Sequence, residues 1–144
     1  IKDLISRKLP ATVFSNHTFS FVYVKDVAQA ILNALEKENN IGEKYLVGNN
    51  RYTWKELNKM ISEISGVPLP KLSMPDFITM MNAYMLTGIA DLIKKPPLWG
   101  MAIDQMKVMK AGFSVDGSKA ERELGIKYTP IRVALEEAIN SINF

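Results

Sequence analysis

Residues 19–24 read Phe-Ser-Phe-Val-Tyr-Val, and a helical pattern follows within two residues of their end. Alternating aromatic and β-branched side chains mark a strand. Phe19, Phe21 and Tyr23 fall on one face, and Ser20, Val22 and Val24 on the other. Asp26 stands where an N-cap belongs, with Gln29 three residues on as a capping-box partner. Val27, Ile31 and Leu35 then form one apolar stripe, widened by Ala28 and Leu32. A strand that feeds directly into an amphipathic helix demands layers of both kinds, so the chain is mixed α/β.

The remaining elements follow from caps and breakers. Tyr45-Leu46-Val47, ending at Gly48, reads as a short buried strand. Thr53-x-x-Glu56 is a capping box that opens a helix carrying Trp54, Leu57, Ile61 and Ile64, with Gly66 to close it. Residues 67–75 contain Pro68, Pro70 and Pro75 and should be extended. A Met-rich helix runs from Asp76 to about Ile93, and a further one covers about 101–110, burying Ala102, Ile103, Met106 and Met109. Phe113-Ser114-Val115 is a short strand. Ser118-x-x-Glu121 is a second capping box, with its helix ending at Gly125. Thr129 is an N-cap followed by Pro130 at the first helical position, and the last helix carries Ile131, Leu135, Ala138, Ile139 and Ile142. No repeat, low-complexity tract or linker interrupts residues 1–144, which read as a single domain.

Composition removes several functions. Of 144 residues none is Cys and one is His, so a disulfide framework, a thiolate or multi-histidine metal site and a cysteine nucleophile are excluded. His17 reads as a loop residue before the first strand. Neither a membrane span nor a signal peptide has its apolar run. The net charge of +3 comes from scattered lysines rather than a basic stripe, which argues against nucleic acid. The absence of Cys points to a reducing, cytoplasmic setting.

Catalytic and phosphate-binding motifs are missing as well. No two of the eight glycines stand two or three apart, so there is no G-x-G-x-x-G and no Walker loop. No Tyr is followed four residues later by Lys, and no G-x-S-x-G is present. Glu121/Glu123 and Glu136/Glu137 read as solvated helix faces. The Met-rich helix allows two readings: core or subunit interface, or the wall of an apolar ligand pocket, since thioethers adapt to varied shapes.

The order of the capped segments carries more. FSFVYVKDVAQAILNALEK, GEKYLVGN, YTWKELNKMISEISGVPLP and FSVDGSKAERELGIKYTPIRVALEEAI occur in that order. Over roughly residues 9–142 they resemble the C-terminal part of extended short-chain dehydrogenase/reductases, the NAD-dependent epimerase/dehydratase group. GSKAERELG followed by a Tyr-x-Pro helix start is the most specific piece. The fold implied is a mostly helical small domain with a few short strands, the C-terminal portion of an extended Rossmann-type reductase without its cofactor-binding half. A chain beginning at Ile1 agrees with that expectation.

The resemblance implies a cofactor, NAD or NADP, held by an N-terminal Rossmann half that also carries the Gly-rich loop and the Tyr-x-x-x-Lys pair. No cofactor is expected in this chain, and no catalytic residue. Sugar-nucleotide epimerases have an Arg-Asp pair where this chain has Phe19-Ser20. An aromatic ring cannot give phosphate the paired charged bonds of a guanidinium. The resemblance is therefore to the dihydroflavonol-reductase-like and hydroxysteroid-dehydrogenase-like branch, with a small apolar or weakly charged carbonyl or alcohol substrate. Phe19, Tyr23, Met81, Met85 and Trp99 are the expected pocket lining, and YLVG the expected edge strand of the Rossmann sheet. FSFVYV and FSV are expected to pair in a small satellite sheet. Asp26, Thr53, Ser118 and Thr129 are expected to act as helix caps. The rival expectation is a stand-alone binding module that covers its apolar surface by forming a homodimer.

Overall fold

A computed structural model describes residues 1–95 and 102–142. Among them are seven helices and one two-stranded sheet. The order is α1 (Lys2–Ile5), β1 (Thr18–Phe21), α2 (Val24–Glu36), β2 (Asn50–Thr53), α3 (Trp54–Ser65), α4 (Asp76–Ile93), α5 (Ile103–Ala111), α6 (Ser118–Leu124) and α7 (Ile131–Asn140). The mixed, mostly helical architecture expected from the sequence is the one observed.

Strands β1 and β2 run antiparallel, with Phe19 opposite Tyr52 and Phe21 opposite Asn50. Phe113 flanks the other side of β1 in a parallel bridge, giving its carbonyl to the Ser20 amide at 2.8 Å. The expected pairing of FSF with FSV is therefore present, reduced to one bridge. One face of β1 packs as the alternation required: Phe19 and Phe21 both lie against Trp54, with ring centroids 5.6 and 5.7 Å away.

Three apolar clusters hold the molecule together. Leu4 and Ile5 of α1, Leu57 and Ile61 of α3, and Ile131, Leu135 and Ile139 of α7 form the first. Ala30 of α2 with Ala120, Leu124 and Ile126 around α6 form the second. Phe14, Ala83 of α4 and Met106 of α5 form the third. Helix α3 is capped as read: the Glu56 amide donates to Thr53 Oγ1 at 3.2 Å, and the Thr53 amide to Glu56 Oε2 at 2.7 Å. Gly66 closes α3 in the left-handed region that only Gly adopts without cost.

Several sequence expectations need correction. Strand β1 stops at Phe21, because Tyr23 already takes the N-cap position of α2. Asp26 is not that cap. It sits inside the first turn, 7% exposed, and its carboxylate takes the amide and the hydroxyl of Thr129, each at 2.7 Å. Gln29 makes no capping box and donates to Asn33 instead. Thr129 is not a cap either, since Pro130 takes that position for α7 and the Thr129 hydroxyl is spent on Asp26. Ser118 lies within α6 and makes no side-chain cap bond; the Asp116 carboxylate takes its amide at 2.9 Å. For Asp26 and Thr129 a tertiary partner outcompeted the local bond, whereas Gln29 and Ser118 took other partners within four residues.

Residues 45–47 form no strand, and Leu46 is 59% exposed. The strand sequence has no partner backbone among the described residues. Helix α2 is turned opposite to its expected orientation. Ala30 and Asp26 face inward, while Ile31, Leu32 and Leu35 face out, Leu35 78% exposed. Helix α4 repeats the arrangement. Thr79, Ala83 and Ala90 are buried, whereas Phe77, Met81, Tyr84, Met85, Ile89 and Leu92 are exposed.

Candidate functional site

The chain segment 9–17 is the first wall of the candidate site. It has no regular structure, so long-range bonds must fix it. Thr12 bridges Ser73, with the Thr12 amide on the Leu72 carbonyl at 3.0 Å and the Met74 amide on the Thr12 carbonyl at 2.9 Å. The Lys55 amide donates to the Ser15 carbonyl at 2.9 Å. His17 Nε2 meets Asp76 Oδ2 at 2.9 Å, tying the segment to the first turn of α4. Phe14 reverses the chain at φ +49° and is 1% exposed, packed on Ala83 and Met106. A left-handed aromatic residue costs about 1–3 kcal/mol. Burial of the whole ring offsets that cost.

Helices α4 and α5 form the other walls. Small residues, Ala83 above all, let the two helices approach, and the Ile103 amide donates to Thr87 Oγ1 at 3.1 Å across them. Between these helices and the segment lies a cavity of about 400 Å³. Its lining comprises Leu9, Pro10, Ala11 and Val13, then Met74, then Asn82, Met85 and Leu86 of α4, then Gln105, Met106 and Met109 of α5. Among the described residues four thioethers and two amides face it, and no charged side chain does.

A second groove of about 430 Å³ runs beside Tyr23, Lys25 and Glu137. The Tyr23 hydroxyl donates to Glu137, and Lys25 Nζ reaches the same oxygen at 2.7 Å. This pairing raises the Lys25 ammonium above its ordinary pKa and lowers the Glu137 carboxyl below the usual range. Both groups stay ionised at neutral pH, the ammonium a weaker acid and the carboxylate a weaker base than usual. A third groove, about 340 Å³, has hydroxyls and amides with Lys55 at its edge.

The residues expected to line one pocket are dispersed. Met85 lines the α4–α5 cavity. Tyr23 borders the second groove. Phe19 is stacked between Phe21 and Trp54. Met81 is on the outward face of α4. Trp99 lies outside the described residues. Asn82 and Gln105 were not anticipated; an amide isolated among the three methionines of α4 was the available signal for Asn82.

A nicotinamide dinucleotide needs a helix N-terminus whose free amides meet its phosphates. The first turns of α2, α3, α4 and α5 already carry Asp26, Glu56, Asp76 and Asp104. A carboxylate in that position occupies the positive end of the helix and repels phosphate. These four helix starts therefore do not suit the cofactor's phosphates, while the first turn of α7 carries no acid. The described residues also contain no cluster of three or more His, Asp or Glu side chains arranged for a metal ion. No described helix is long and apolar enough to cross a membrane.

No family model matches the chain. It is 26% identical over 143 residues to a putative dihydroflavonol 4-reductase of Synechocystis sp., covering 97% of this chain and 40% of that protein. It is 29% identical over 131 residues to sterol demethylase protein B of Methylococcus capsulatus, covering 84% of this chain and 37% of that one. Among solved structures, gox2253 superposes with a TM-score of 0.69 at 28% identity, over 96% of this chain and 40% of that chain. The chain resembles the C-terminal part of the extended short-chain dehydrogenase/reductases, and it has that part's fold. It spans about 40% of the length of the relatives it matches. Likeness of fold extends to the triphenylmethane reductase of Citrobacter sp. complexed with NADP(H), TM-score 0.63 at 17% identity over 95% of this chain and 46% of that one.

Proposed function

We propose that the chain is the substrate-binding portion of an NAD(P)-dependent oxidoreductase or epimerase of the extended short-chain type. The intact protein transfers hydride between a nicotinamide and a carbonyl or alcohol carbon of a small, weakly charged molecule. The cofactor supplies the hydride, and the protein supplies orientation. Residues 1–144 alone catalyse nothing in this reading, since they contain no cofactor loop and no Tyr-x-x-x-Lys pair. The setting is cytoplasmic.

One observation carries the reading. Tyr45 and Val47 pack on the α2–α6 cluster, which places the unpaired segment 45–47 beside α2, whose Ile31, Leu32 and Leu35 face outward. A helix that covers a sheet and a strand that joins the sheet's edge look like this when the sheet belongs to another part of the protein. A Rossmann half supplies such a sheet. The relatives' printed names, a dihydroflavonol reductase and a sterol demethylase protein, support a ring-containing, weakly charged substrate.

The test is to express the chain together with the residues encoded upstream of Ile1 and follow NADPH and NADH oxidation with a panel of cyclic ketones and aldehydes. Turnover in the longer protein and none in residues 1–144 is expected. Absence of turnover with every carbonyl by either cofactor would count against the reading. A stand-alone homodimeric module is the second reading, favoured by the exposed row Phe77, Met81, Met85 and Leu92 on α4. It predicts a stable dimer of residues 1–144 in sedimentation.

A further inference from the structure

We propose that the cavity between α4 and α5 binds a neutral, ring-containing, mostly apolar molecule and that Asn82 holds its one hydroxyl or carbonyl oxygen. This deepens the reductase reading, and rests on it only for the claim that the molecule is the substrate.

The size and lining define the class. About 400 Å³ accommodates a molecule of several rings. Four of the chain's eight methionines, Met74, Met85, Met106 and Met109, contribute to the wall. Unbranched thioethers fit flat ring faces and edges of differing outline. With no charged side chain among the described residues of the lining, a phosphate or carboxylate would lose its hydration without a counter-charge. A neutral molecule does not meet that cost.

Asn82 is the less exposed of the two amide side chains in the wall. It is half-buried, and its amide nitrogen donates to Met74 Sδ at 3.5 Å, a weak acceptor. Among the described residues its carbonyl oxygen and second amide hydrogen have no protein partner. A half-buried primary amide with this much unused capacity rewards a ligand oxygen that completes it. Being both donor and acceptor, the amide suits a hydroxyl or a carbonyl equally. Gln105, exposed on α5, is a second amide at the same cavity. The frame is fixed before any ligand arrives by the Phe14 plug, the Thr12–Ser73 bridge and the Ile103–Thr87 bond, so little ordering is required on binding.

The experiment titrates residues 1–144 with 2-naphthol and with naphthalene, which differ by one hydroxyl. Saturable binding of both is expected, with naphthol tighter by about three- to tenfold, the worth of one net hydrogen bond. Asn82→Leu should erase that preference and leave naphthalene affinity unchanged. Met85→Trp, at a partly exposed position that tolerates a larger side chain, should fill the cavity and weaken both probes at least tenfold. Equal affinity of the unaltered chain for the two probes, a preference that survives Asn82→Leu, or probe binding untouched by Met85→Trp would each overturn the proposal. Failure of the longer protein to use NADPH would refute the reductase reading and leave these titrations unaffected.

Discussion

The carboxylate of Asp26 accepts both polar hydrogens of Thr129, the amide and the hydroxyl, each at 2.7 Å and across 103 residues of sequence. Asn50 Nδ2 donates to the Thr129 carbonyl at 3.0 Å, so every polar group of Thr129 is used. The joint fixes the start of α2 to the residue before the α7 cap and thereby aligns two of the three clusters. Asp26→Ala should cost about 3 kcal/mol, since two bonds to a charged acceptor are lost together. Asp26→Asn should cost about half as much, and Thr129→Val less again. Urea unfolding of the three variants checks the order; equal losses from Asp26→Ala and Thr129→Val would contradict the joint.

Tyr128 does a related job one residue earlier. Its hydroxyl accepts from the Gly48 amide at 3.1 Å and donates to the Gly117 carbonyl at 3.0 Å, and burial raises its pKa. Tyr128→Phe should cost about 1–2 kcal/mol, the usual result of stranding one donor and one acceptor. Gly117→Ala should cost more, because its Cβ would lie 2.6 Å from the Gly48 carbonyl, a backbone atom that cannot turn aside. Thermal unfolding of the two variants decides the ranking.

The capping box of α3 has a pH signature. Bonds from Thr53 hold the Glu56 carboxyl below its unfolded value of 4.5. A carboxyl whose folded pKa is lowered stabilises fully above the unfolded value, and that stability is lost as pH falls through the folded one. The melting temperature should therefore have a component that declines below about pH 4.5, and Glu56→Gln should flatten that component. Thr53→Ala should cost about 1 kcal/mol at neutral pH.

Phe14 links stability to the cavity. Phe14→Ala should cost about 3–5 kcal/mol, as for other buried aromatic truncations. It should also weaken 2-naphthol binding, because Val13 beside it lines the cavity. Calorimetry and probe titration on one sample check both; an unfolding cost without any change in probe affinity would separate plug from site.

The elements with local signals were legible in the sequence. The Thr53 box, the Gly66 and Gly125 stops and the inward positions Leu57, Ile61 and Ile131 follow from spacing alone. What was not legible depended on partners far along the chain. Asp26 reads as a cap until Thr129 is placed beside it. The stripe of α2 gives its period but not which side is buried, and its large apolar residues face outward here. The strand character of residues 45–47 was read from composition, yet pairing needs a neighbouring backbone. The candidate cavity was half-visible: the Met-rich helix pointed to it, while segment 9–13 and Asn82 entered only through tertiary packing.

The most direct measurement of the central claim is a nicotinamide titration of two proteins, residues 1–144 and the same chain with its upstream coding sequence. NADPH or NADH fluorescence should change saturably with the longer protein and stay unchanged with residues 1–144. Saturable cofactor binding by residues 1–144, or none by the longer protein, would contradict the account.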